Sequence, residues 1–434
     1  MRAIAGIVLI GIAGSLQAQT APDPSLLAEI NAIKAIDHHA HPSPALPPGA
    51  QDDQATVSDS VPPLAPPALL RMSNPQWVTA WRELYAYVAP GAVPDKAKLL
   101  AAKNAFKKAH GTHYPRWVLD KLGIDIMLTN RYTLGPGLES PRFRLVWYAD
   151  PLLFPLDNET GKAANPQKRE EFTNAEKWLK RYLADAKTNT LPPTLDGYIA
   201  QVIIPLLAQK KKSGAVAVKF ATAYMRALDF GNPSVEEASG VYAQYVRGGA
   251  PPAADYKKLQ DYLFRRISQE CGRVGLPVHI HVGAGAGPFF DNSGSDPFLL
   301  LPTILDPAMR PTTFVLIHGG FPNASASRVL FAKPNVYVDF SSQGFLSSTR
   351  ELSQVLRSWI EFRPDKVMFG TDAYSLTPYL GWEEVGWLTN TSGRRALALA
   401  LTGMIQDREI TRARASEIAR MVMHDNAAEL YGLK

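Results

Sequence analysis

The sequence contains very little cysteine and, after residue 18, no long hydrophobic run. Cys271 is the only cysteine among 434 residues, which excludes an intramolecular disulfide and leaves a thiolate metal site without a second ligand. We interpret Cys271 as a structural residue near the end of a predicted helix. No later segment offers the roughly 18 consecutive apolar residues that a membrane-spanning helix requires.

Charge is not concentrated on one segment either. The chain carries 46 Lys and Arg against 40 Asp and Glu, a net charge of +6. The lysine clusters lack the interleaved aromatic side chains of a nucleic-acid-binding surface. A glycine-rich phosphate-binding loop is also missing. We expect a small-molecule partner and no nucleic acid, and the sequence is compatible with a homo-oligomer. The lysine clusters are Lys103, Lys107 and Lys108, and Lys210 to Lys212.

Residues 1–18 have the layout of a secretory signal peptide. A positive charge at Arg2 precedes the apolar run Ile4–Ile12, and Ser15–Ala18 forms a plausible cleavage site before Gln19. A membrane anchor is the alternative, but the run is short and a polar stretch follows it. The sequence therefore predicts an exported protein, periplasmic or secreted, with no stable membrane insertion after signal cleavage.

Eight short apolar runs alternate with stretches that are long enough for helices. Most runs are nearly continuous in apolar residues, as expected for parallel strands that are covered on both faces. This rhythm predicts an α/β fold, a (β/α)8 TIM barrel, with a doubly wound open sheet as the alternative. The predicted strands are Ala35–His39, Ile124–Thr129, Phe143–Tyr148, Ala215–Phe220, Pro277–Val282, Thr313–His318, Asn335–Phe340 and Lys366–Gly370.

Residues 19–434 exceed the roughly 250 residues that a bare barrel needs. The excess falls in a Pro-rich loop plus helical insertion at 42–115 and in a polar insertion at 229–255. The predicted helices of the first insertion are Asn74–Val88 and Asp95–Ala109. Both insertions follow strand ends, one and four, so we expect both to form a lid over the mouth of a single barrel.

Five of the nine histidines lie at or just before the end of a predicted strand, where barrel enzymes carry their active sites. The first strand ends with Asp37-His38-His39-Ala40-His41. Because side chains alternate along a strand, His39 and His41 should share one face with Asp37, which could orient them, and His38 should point to the other. Such a His-x-His pair can bind one divalent cation.

Later strand ends add further candidates. His279 and His281 share one face of the fifth strand, and His318 ends the sixth, before two glycines that would let a substrate approach the backbone. Asp372 follows the eighth strand, where a carboxylate suits a metal ligand or general base but also a helix N-cap. Lys219 ends the fourth strand and is either a charge in the site or a lysine that extends to solvent. Convergence on one mouth indicates a hydrolytic metal site.

These motifs, in this order, resemble the amidohydrolase superfamily, specifically its amidohydrolase-related (amidohydrolase 2) branch of metal-dependent hydrolases and decarboxylases. The resemblance spans nearly the whole chain after the signal peptide. The matching segments are Ile36–His41, Pro277–Gly283, Val315–His318, Phe369–Asp372 and the tail His424–Leu433.

The resemblance implies that His318 either binds a second metal or polarises the substrate, so one or two ions are compatible with it. Lys219 matches a lysine that is carbamylated and bridges two metals in some members. His279 is implied to lie near the ligands without binding the metal. Arg226 is a further candidate for a residue that lies near the ligands without binding the metal, although its motif only approximates the family's Ala-Tyr-Arg pattern. The implied metal ligands are His39, His41, His281 and Asp372.

The resulting hypothesis is a hydrolase that activates water with a divalent cation, expected to be Zn²⁺. Its target is an ester, lactone, amide or other C–N or C–O bond of a small molecule. Asp372 would take the water proton and pass it to the leaving group, and His318 would stabilise the oxyanion. The first alternative is a metal-dependent decarboxylase of a carboxylic acid. The second, a non-catalytic ligand-binding barrel, is disfavoured because the set of polar residues is complete.

Overall fold

The computed structural model describes residues 21–47, 50, 52, 66–91 and 93–433. The predicted signal peptide and most of the Pro-rich loop lie outside these residues. The described strands form one eight-stranded parallel sheet in chain order. They are β1 (Ala35–Ala40), β2 (Ile124–Arg131), β3 (Phe143–Tyr148), β4 (Ala217–Phe220), β5 (Val278–His281), β6 (Phe314–Ile317), β7 (Val336–Asp339) and β8 (Val367–Met368).

Backbone hydrogen bonds close the sheet into a barrel. The segment that follows β8 pairs with β1: His38 N–H donates to the Phe369 carbonyl at 3.0 Å, and Asp372 N–H donates to the His39 carbonyl at 2.7 Å. The predicted TIM barrel is therefore confirmed, and the open sheet is excluded. Closure also brings the first and last strand ends together at the mouth.

Helices surround the barrel and bury its outer face. Cys271 lies fully buried within one of them, and burial raises the pKa of its thiol. None of the described helices is long and apolar enough to span a membrane. The helices before β5 are Pro24–Ala32, Gln76–Tyr85, Lys96–His110, Tyr114–Leu122, Glu159–Lys162, Pro166–Asp185, Leu195–Tyr198 continuing through the π turn Ile199–Ile203 into Ile204–Lys212, Val235–Tyr245 and Ala253–Val274. Those after it are Leu301–Leu305, Ala324–Leu330, Gln343–Leu346, Thr349–Ile360, Trp382–Gln406, Arg412–Arg420, the π turn Met421–Asp425 and Asn426–Tyr431.

The first insertion forms a second apolar core beside the barrel mouth. Its buried residues Trp77, Trp81 and Leu99 belong to one cluster with Trp382, which begins the long helix after β8. Its residue Leu70 lines the cavity at the mouth. The described part of this insertion therefore contributes to the wall of the site.

The second insertion lies elsewhere. The helix Val235–Tyr245 packs on the outer helix Ala253–Val274, and the hydroxyl of Tyr242 donates to the carbonyl of Pro192 at 2.8 Å. Residues 229–255 are described throughout, and none of them lines the cavity at the mouth. The expectation that this insertion forms part of a lid is wrong, because its apolar face is buried against outer helices.

The C-terminal helix, Asn426–Tyr431, closes the opposite end of the barrel. The side-chain amide of Asn426 donates to the carbonyl of Val367, at the start of β8, at 2.8 Å. Ala427 packs with Ile36, near the start of β1. The tail motif of the sequence therefore forms the floor of the barrel.

Candidate metal centre and active site

A cavity of about 270 Å³ opens at the carboxyl ends of the strands. Aromatic and aliphatic side chains form much of its wall, and a glycine-rich loop after β5 forms the rest. The polar candidates from the sequence that line it are His39, His41, Lys219, His281, His318 and Asp372. The apolar and aromatic residues of the wall include Pro67, Leu70, Tyr148, Tyr224, Phe345, Leu346 and Tyr374.

Asp372 lies between the imidazoles of His39, in β1, and His41, just after this strand. Its Oδ1 atom is 3.3 Å from Nε2 of His39 and 3.3 Å from Nε2 of His41, and its Oδ2 atom is 3.9 Å from Nδ1 of His318. The next helix begins at Trp382, so Asp372 does not serve as its N-cap. The φ angle of Asp372 is 54°, an uncommon value for a residue other than glycine. Its carboxylate therefore faces three imidazoles.

A β-bulge in β1 changes the direction in which His38 points. The register shifts between Asp37 and Ala40, so that His38 and His39 together oppose a single residue of β2. The ring of His38 consequently lies inside the barrel, with its centroid 4.6 Å from that of His279. The prediction that His38 points to the side of the strand opposite His39 is wrong, because it assumed an ideal strand without a bulge.

The two histidines of β5 have different surroundings. His281 lines the cavity, and its buried Nε2 atom has no hydrogen-bond partner among the described residues. His279 lies deeper, with Nε2 2.7 Å from the hydroxyl of Tyr431. Burial lowers the pKa of both rings well below the usual range, with further contributions from His318 at His281 and from His38 at His279. His281 is therefore a neutral imidazole with an unpartnered nitrogen at the site.

His318 begins a left-handed turn after β6. Its φ angle is 69° and that of Gly319 is 57°. A Cβ atom at Gly319 would overlap the ring of Trp359, so this glycine serves the turn and its packing and does not line the cavity. The Nδ1 atom of His318 lies 2.9 Å from the hydroxyl of Ser341, and its backbone N–H donates to Asp339 at 2.7 Å. Several bonds thus fix the imidazole.

The tightest group of ligand atoms differs partly from the implied ligand set. Among the residues that the structure describes, donor atoms of His39, His318 and Asp372 all lie within 4.8 Å of one another. The implied set has His41 and His281 in place of His318. Both sets share His39 and Asp372, and His318 is close enough either to bind a cation or to act beside it.

The chemistry of this donor set fits a divalent cation. Imidazole nitrogens and carboxylate oxygens are the ligands of catalytic zinc sites. Burial, followed by the positive charge of Lys219, lowers the pKa of His39 well below its usual range, which favours the neutral, ligating form. The unpartnered Nε2 atom of His281 is a buried polar atom that a bound cation would satisfy.

Asp37 holds the segment that carries Asp372. Its carboxylate accepts hydrogen bonds from the backbone N–H of Thr371 at 2.9 Å and from the Thr371 hydroxyl at 2.5 Å. It also accepts from the backbone N–H of His39 at 3.3 Å. Burial raises the pKa of Asp37 to about 7. Asp37 therefore contacts the backbone beside two candidate ligands and not their side chains.

Lys219 is a buried lysine inside the site. Its side chain lines the cavity, which excludes the alternative in which it extends to solvent. Burial lowers its pKa to about 8, although the carboxylate of Asp372 acts in the opposite direction. No carboxylate of the described part of the chain lies within ion-pair distance of its ammonium group. Lys219 therefore gives the cavity a positive charge without a direct counter-ion.

Arg226 lies outside this cavity. Its guanidinium forms an ion pair with Asp261 at 2.7 Å and bonds to Gln260 at 3.2 Å, both on the helix Ala253–Val274. The chain turns sharply after β4, so that Tyr224 faces the cavity while Arg226 is directed towards the outer helix. The expectation that Arg226 surrounds the ligands is therefore wrong.

Two neutral residues contact the β1 histidines and were missed in the sequence. The side-chain amide of Asn130 lies 2.8 Å from Nδ1 of His39, and the hydroxyl of Tyr148 lies 3.4 Å from Nδ1 of His41. Both stand at the carboxyl ends of β2 and β3. Their position at strand ends is a signal for candidate site residues, but neither side chain is charged or an imidazole.

A family model for amidohydrolases matches residues 216–433, half of the chain. The chain belongs to the amidohydrolase family. The matched residues include His281, His318 and Asp372, and the β1 histidines precede them. This agrees with the resemblance inferred from the ordered motifs.

One curated relative is named as a lactone hydrolase. The chain is 26% identical over 237 residues to 4-sulfomuconolactone hydrolase from Hydrogenophaga intermedia. The alignment covers 53% of this chain and 62% of that protein. It therefore spans less than two thirds of the relative's length.

Solved structures share the fold of this amidohydrolase. Glucuronate isomerase from Caulobacter crescentus aligns with a TM-score of 0.63 and 13% identity, over 94% of this chain and 93% of that chain. A protein from Lactobacillus casei ATCC 334, described as a candidate metal-dependent hydrolase, aligns with a TM-score of 0.60 and 15% identity, over 95% and 98%. Uronate isomerase from Thermotoga maritima aligns with a TM-score of 0.56 and 14% identity, over 95% of this chain and 98% of that chain.

Proposed function

We propose that this amidohydrolase cleaves an ester, lactone, amide or related C–O or C–N bond of a small molecule, with a divalent cation as cofactor. The observation that carries the proposal is the meeting of four imidazoles and one carboxylate in a single cavity at the strand ends. Barrel enzymes use this end for catalysis. The partial match to a lactone hydrolase supports the same reaction class.

The cation would be held by His39, His41, His281 and Asp372, and we propose Zn²⁺ for it. When bound, such a cation supplies Lewis acidity and makes water nucleophilic at neutral pH. The position of His318, 3.9 Å from Asp372, leaves room in the proposal for a second ion or for direct contact with the substrate.

Proton transfer falls to Asp372 in this proposal. Its two oxygens face different neighbours, Oδ1 towards His39 and His41 and Oδ2 towards His318. Oδ2 would accept the proton of the attacking water and return it to the leaving group. His318, whose Nδ1 atom already donates to the Ser341 hydroxyl, would stabilise the oxygen on which negative charge develops when a second proton on Nε2 makes the ring cationic.

Lys219 and the aromatic wall would select the substrate. An ammonium group without a direct counter-ion attracts an anionic group of the substrate, and Leu70, Phe345 and Tyr374 offer surface for its apolar part. Carbamylation of Lys219 would convert it from a cation into a metal ligand. Intact-mass measurement of the native protein distinguishes the two states.

The experiment that tests the proposal combines metal analysis with a substrate panel. The wild-type protein and the variants His39→Ala and Asp372→Asn are purified, analysed for bound metal, and assayed against esters, lactones and amides. His424→Ala and Asp425→Asn are matched controls, because these two residues pair with each other at the surface, away from the cavity. We expect metal content and hydrolysis to fall in the first two variants only.

The same preparations separate hydrolysis from its rivals. Release of CO₂ from carboxylic acids is measured beside bond cleavage, and interconversion of uronic acids is included because two structural neighbours are uronate isomerases. Decarboxylation or isomerisation without hydrolysis would refute the proposed reaction. Unchanged metal content and activity in both site variants would refute the proposed site.

We further propose that the enzyme is exported. The layout of residues 1–18 supports this, with Arg2 before the apolar run Ile4–Ile12. The full chain is expressed with its native amino terminus and the mature protein is sequenced from that end. A first residue of Gln19 is expected, and an intact Met1 in a protein retained in the cytoplasm would contradict export.

A further inference from the structure

Two buried histidines below the cavity share one tyrosine hydroxyl. The hydroxyl of Tyr431 lies 2.5 Å from Nε2 of His38 and 2.7 Å from Nε2 of His279. Tyr431 ends the C-terminal helix on the floor of the barrel, so its side chain reaches upward towards the site. Neither histidine lines the cavity, and the proposed reaction assigns no role to this group.

A continuous hydrogen-bond path joins this group to His318. The Nδ1 atom of His38 lies 2.9 Å from Oδ2 of Asp339. The other oxygen of Asp339 accepts from the Ser341 hydroxyl at 2.8 Å and from the backbone N–H of His318 at 2.7 Å. The Ser341 hydroxyl oxygen is in turn 2.9 Å from Nδ1 of His318. Each of these side chains is buried except Tyr431, which is partly exposed.

The positions of the protons follow from the bonding partners. The carboxylate of Asp339 can only accept, so Nδ1 of His38 donates to it. Tyr431 then donates its single proton to Nε2 of His38, and its oxygen accepts from Nε2–H of His279. This leaves Nδ1 of His279 without a proton, which agrees with the absence of a partner for that atom among the described residues. A bare buried acceptor is better tolerated than an unpaired N–H.

We propose that Tyr431 is a positioning residue for His318. It acts through the His38–Asp339 pair, which orients Ser341 and the backbone of His318, and this inference rests on the proposed function in that His318 acts on the substrate. Removing the Tyr431 hydroxyl leaves two buried ring nitrogens without their shared partner. The His38 ring and the Asp339 carboxylate then lose their fixed orientation. The imidazole of His318, which is held through Asp339 and Ser341, loses its orientation with them.

The variant Tyr431→Phe tests this, with Tyr242→Phe as the matched control. Tyr242 also donates one hydrogen bond from a buried hydroxyl, to Pro192 at 2.8 Å, on the outside of the barrel. The measurements are kcat, KM, bound metal, melting temperature, and the ¹⁵N chemical shifts of the nine histidines after selective labelling. The shifts report tautomer and hydrogen bonding directly and need no substrate.

Tyr431→Phe is expected to lower kcat roughly 10-fold, as supporting residues of metal sites do, with smaller changes in KM and metal content. It should also shift the ¹⁵N signals of His38, His279 and His318. Tyr242→Phe should lower the melting temperature without either effect. Adding Ser341→Ala to Tyr431→Phe should cost less than the product of the two single losses, because both interrupt one path.

Three results would overturn the proposal. They are unchanged His318 signals in Tyr431→Phe, a loss of stability equal to that of Tyr242→Phe with kcat unchanged, and multiplicative losses in the double variant. If no panel substrate is hydrolysed, the proposed function fails by itself. In that case a shift of the His318 signals in Tyr431→Phe alone still supports positioning, and its absence refutes it.

Discussion

Asp37, in the first strand, and Thr371, in the segment after the last strand, are joined by a side-chain hydrogen bond of 2.5 Å. The same carboxylate accepts the backbone N–H of Thr371. Because Asp372 is the next residue, this link fixes the height at which its carboxylate stands among the imidazoles. The contact is buried, so if one partner is removed, no water molecule replaces it as the hydrogen-bond partner of the other.

Thr371→Val is expected to reduce stability by about 1–3 kcal/mol, because the side-chain bond to Asp37 is lost while the shape is kept. It should also lower activity, since Asp372 loses its fixed position. Thr312→Val is the control: the Thr312 hydroxyl donates to the Ser268 carbonyl at 2.8 Å and is equally buried, at the other end of the barrel. Urea unfolding and steady-state kinetics measure both. Equal activity losses in the two variants would contradict the prediction.

Asn130 is expected to set the tautomer of His39. A histidine that ligates through Nε2 carries its proton on Nδ1 and needs an acceptor there, which the amide oxygen of Asn130 provides after a half-turn of the amide. Asn130→Leu should weaken metal binding about 10- to 100-fold, and Asn130→Asp should retain it. Competition with a chelator measures the affinity.

The control for Asn130 is Asn390→Leu. Asn390 is also buried and donates to the carbonyl of Leu122 at 2.9 Å, away from the cavity. Its removal should cost stability and leave metal affinity unchanged. Equal affinities of Asn130→Leu and Asn130→Asp would show that the contact with His39 does not matter for metal binding.

Lys103 ties the first insertion to the helix after β8. Its ammonium lies 2.8 Å from Glu384 and 3.2 Å from Glu383, and all three side chains are buried. Burial alone raises the pKa of Glu383, but the charges of Lys103 and Lys107 outweigh it and lower the pKa to about 2. Lys103→Met should therefore cost about 3–5 kcal/mol at pH 7, because it leaves buried carboxylates without their counter-charge.

The pH dependence of this variant has a defined sign. In the wild type the depressed pKa of Glu383 contributes stability that is present above its unfolded-state pKa and is lost as the pH falls towards about 2. Without Lys103, burial favours the protonated glutamates. Lowering the pH from 8 to about 5 should therefore reduce the difference in unfolding free energy between this variant and the wild type. Lys107→Met is the control, since that half-exposed lysine should contribute about 1 kcal/mol or less. A difference in unfolding free energy between Lys103→Met and the wild type that grows in acid would contradict this role of Lys103.

Leu70→Val tests the contribution of the first insertion to substrate binding. Leu70 lines the cavity, and one methylene is worth about 0.8 kcal/mol, or about fourfold in KM. We expect KM to rise with little change in kcat, because the contact is equal in ground and transition states. Leu84→Val makes the same change in the same apolar cluster but outside the cavity, and should leave KM unaffected. Similar KM values for both variants would show that the first insertion does not contribute to substrate binding.

The barrel could be predicted from the sequence because most strands are nearly continuous apolar runs between stretches long enough for helices. All eight strands lie where these runs predict them, including the two-residue β8 (Val367–Met368). The residues that end them are fixed by topology alone, which is why His39, His281 and His318 could be placed at one mouth in advance.

The remaining features depend on contacts that no local pattern records. The inward position of His38 follows from a bulge in the pairing of β1 with β2. Tyr431 reaches His38 across 393 residues of sequence. Arg226 was misplaced because a single turn after β4 decides which side chain faces inward. Strand periodicity predicts which end of a barrel is functional, but not which neighbours support each ligand.

The buried Cys271 makes this chain convenient for site-specific labelling. Its thiol is fully buried and its pKa is raised, so it should not react with maleimides in the folded protein. A cysteine introduced at the exposed position Val88 would then be the only reactive thiol. A fluorophore there could report whether the first insertion moves when a substrate enters, with no native residue replaced to silence the background.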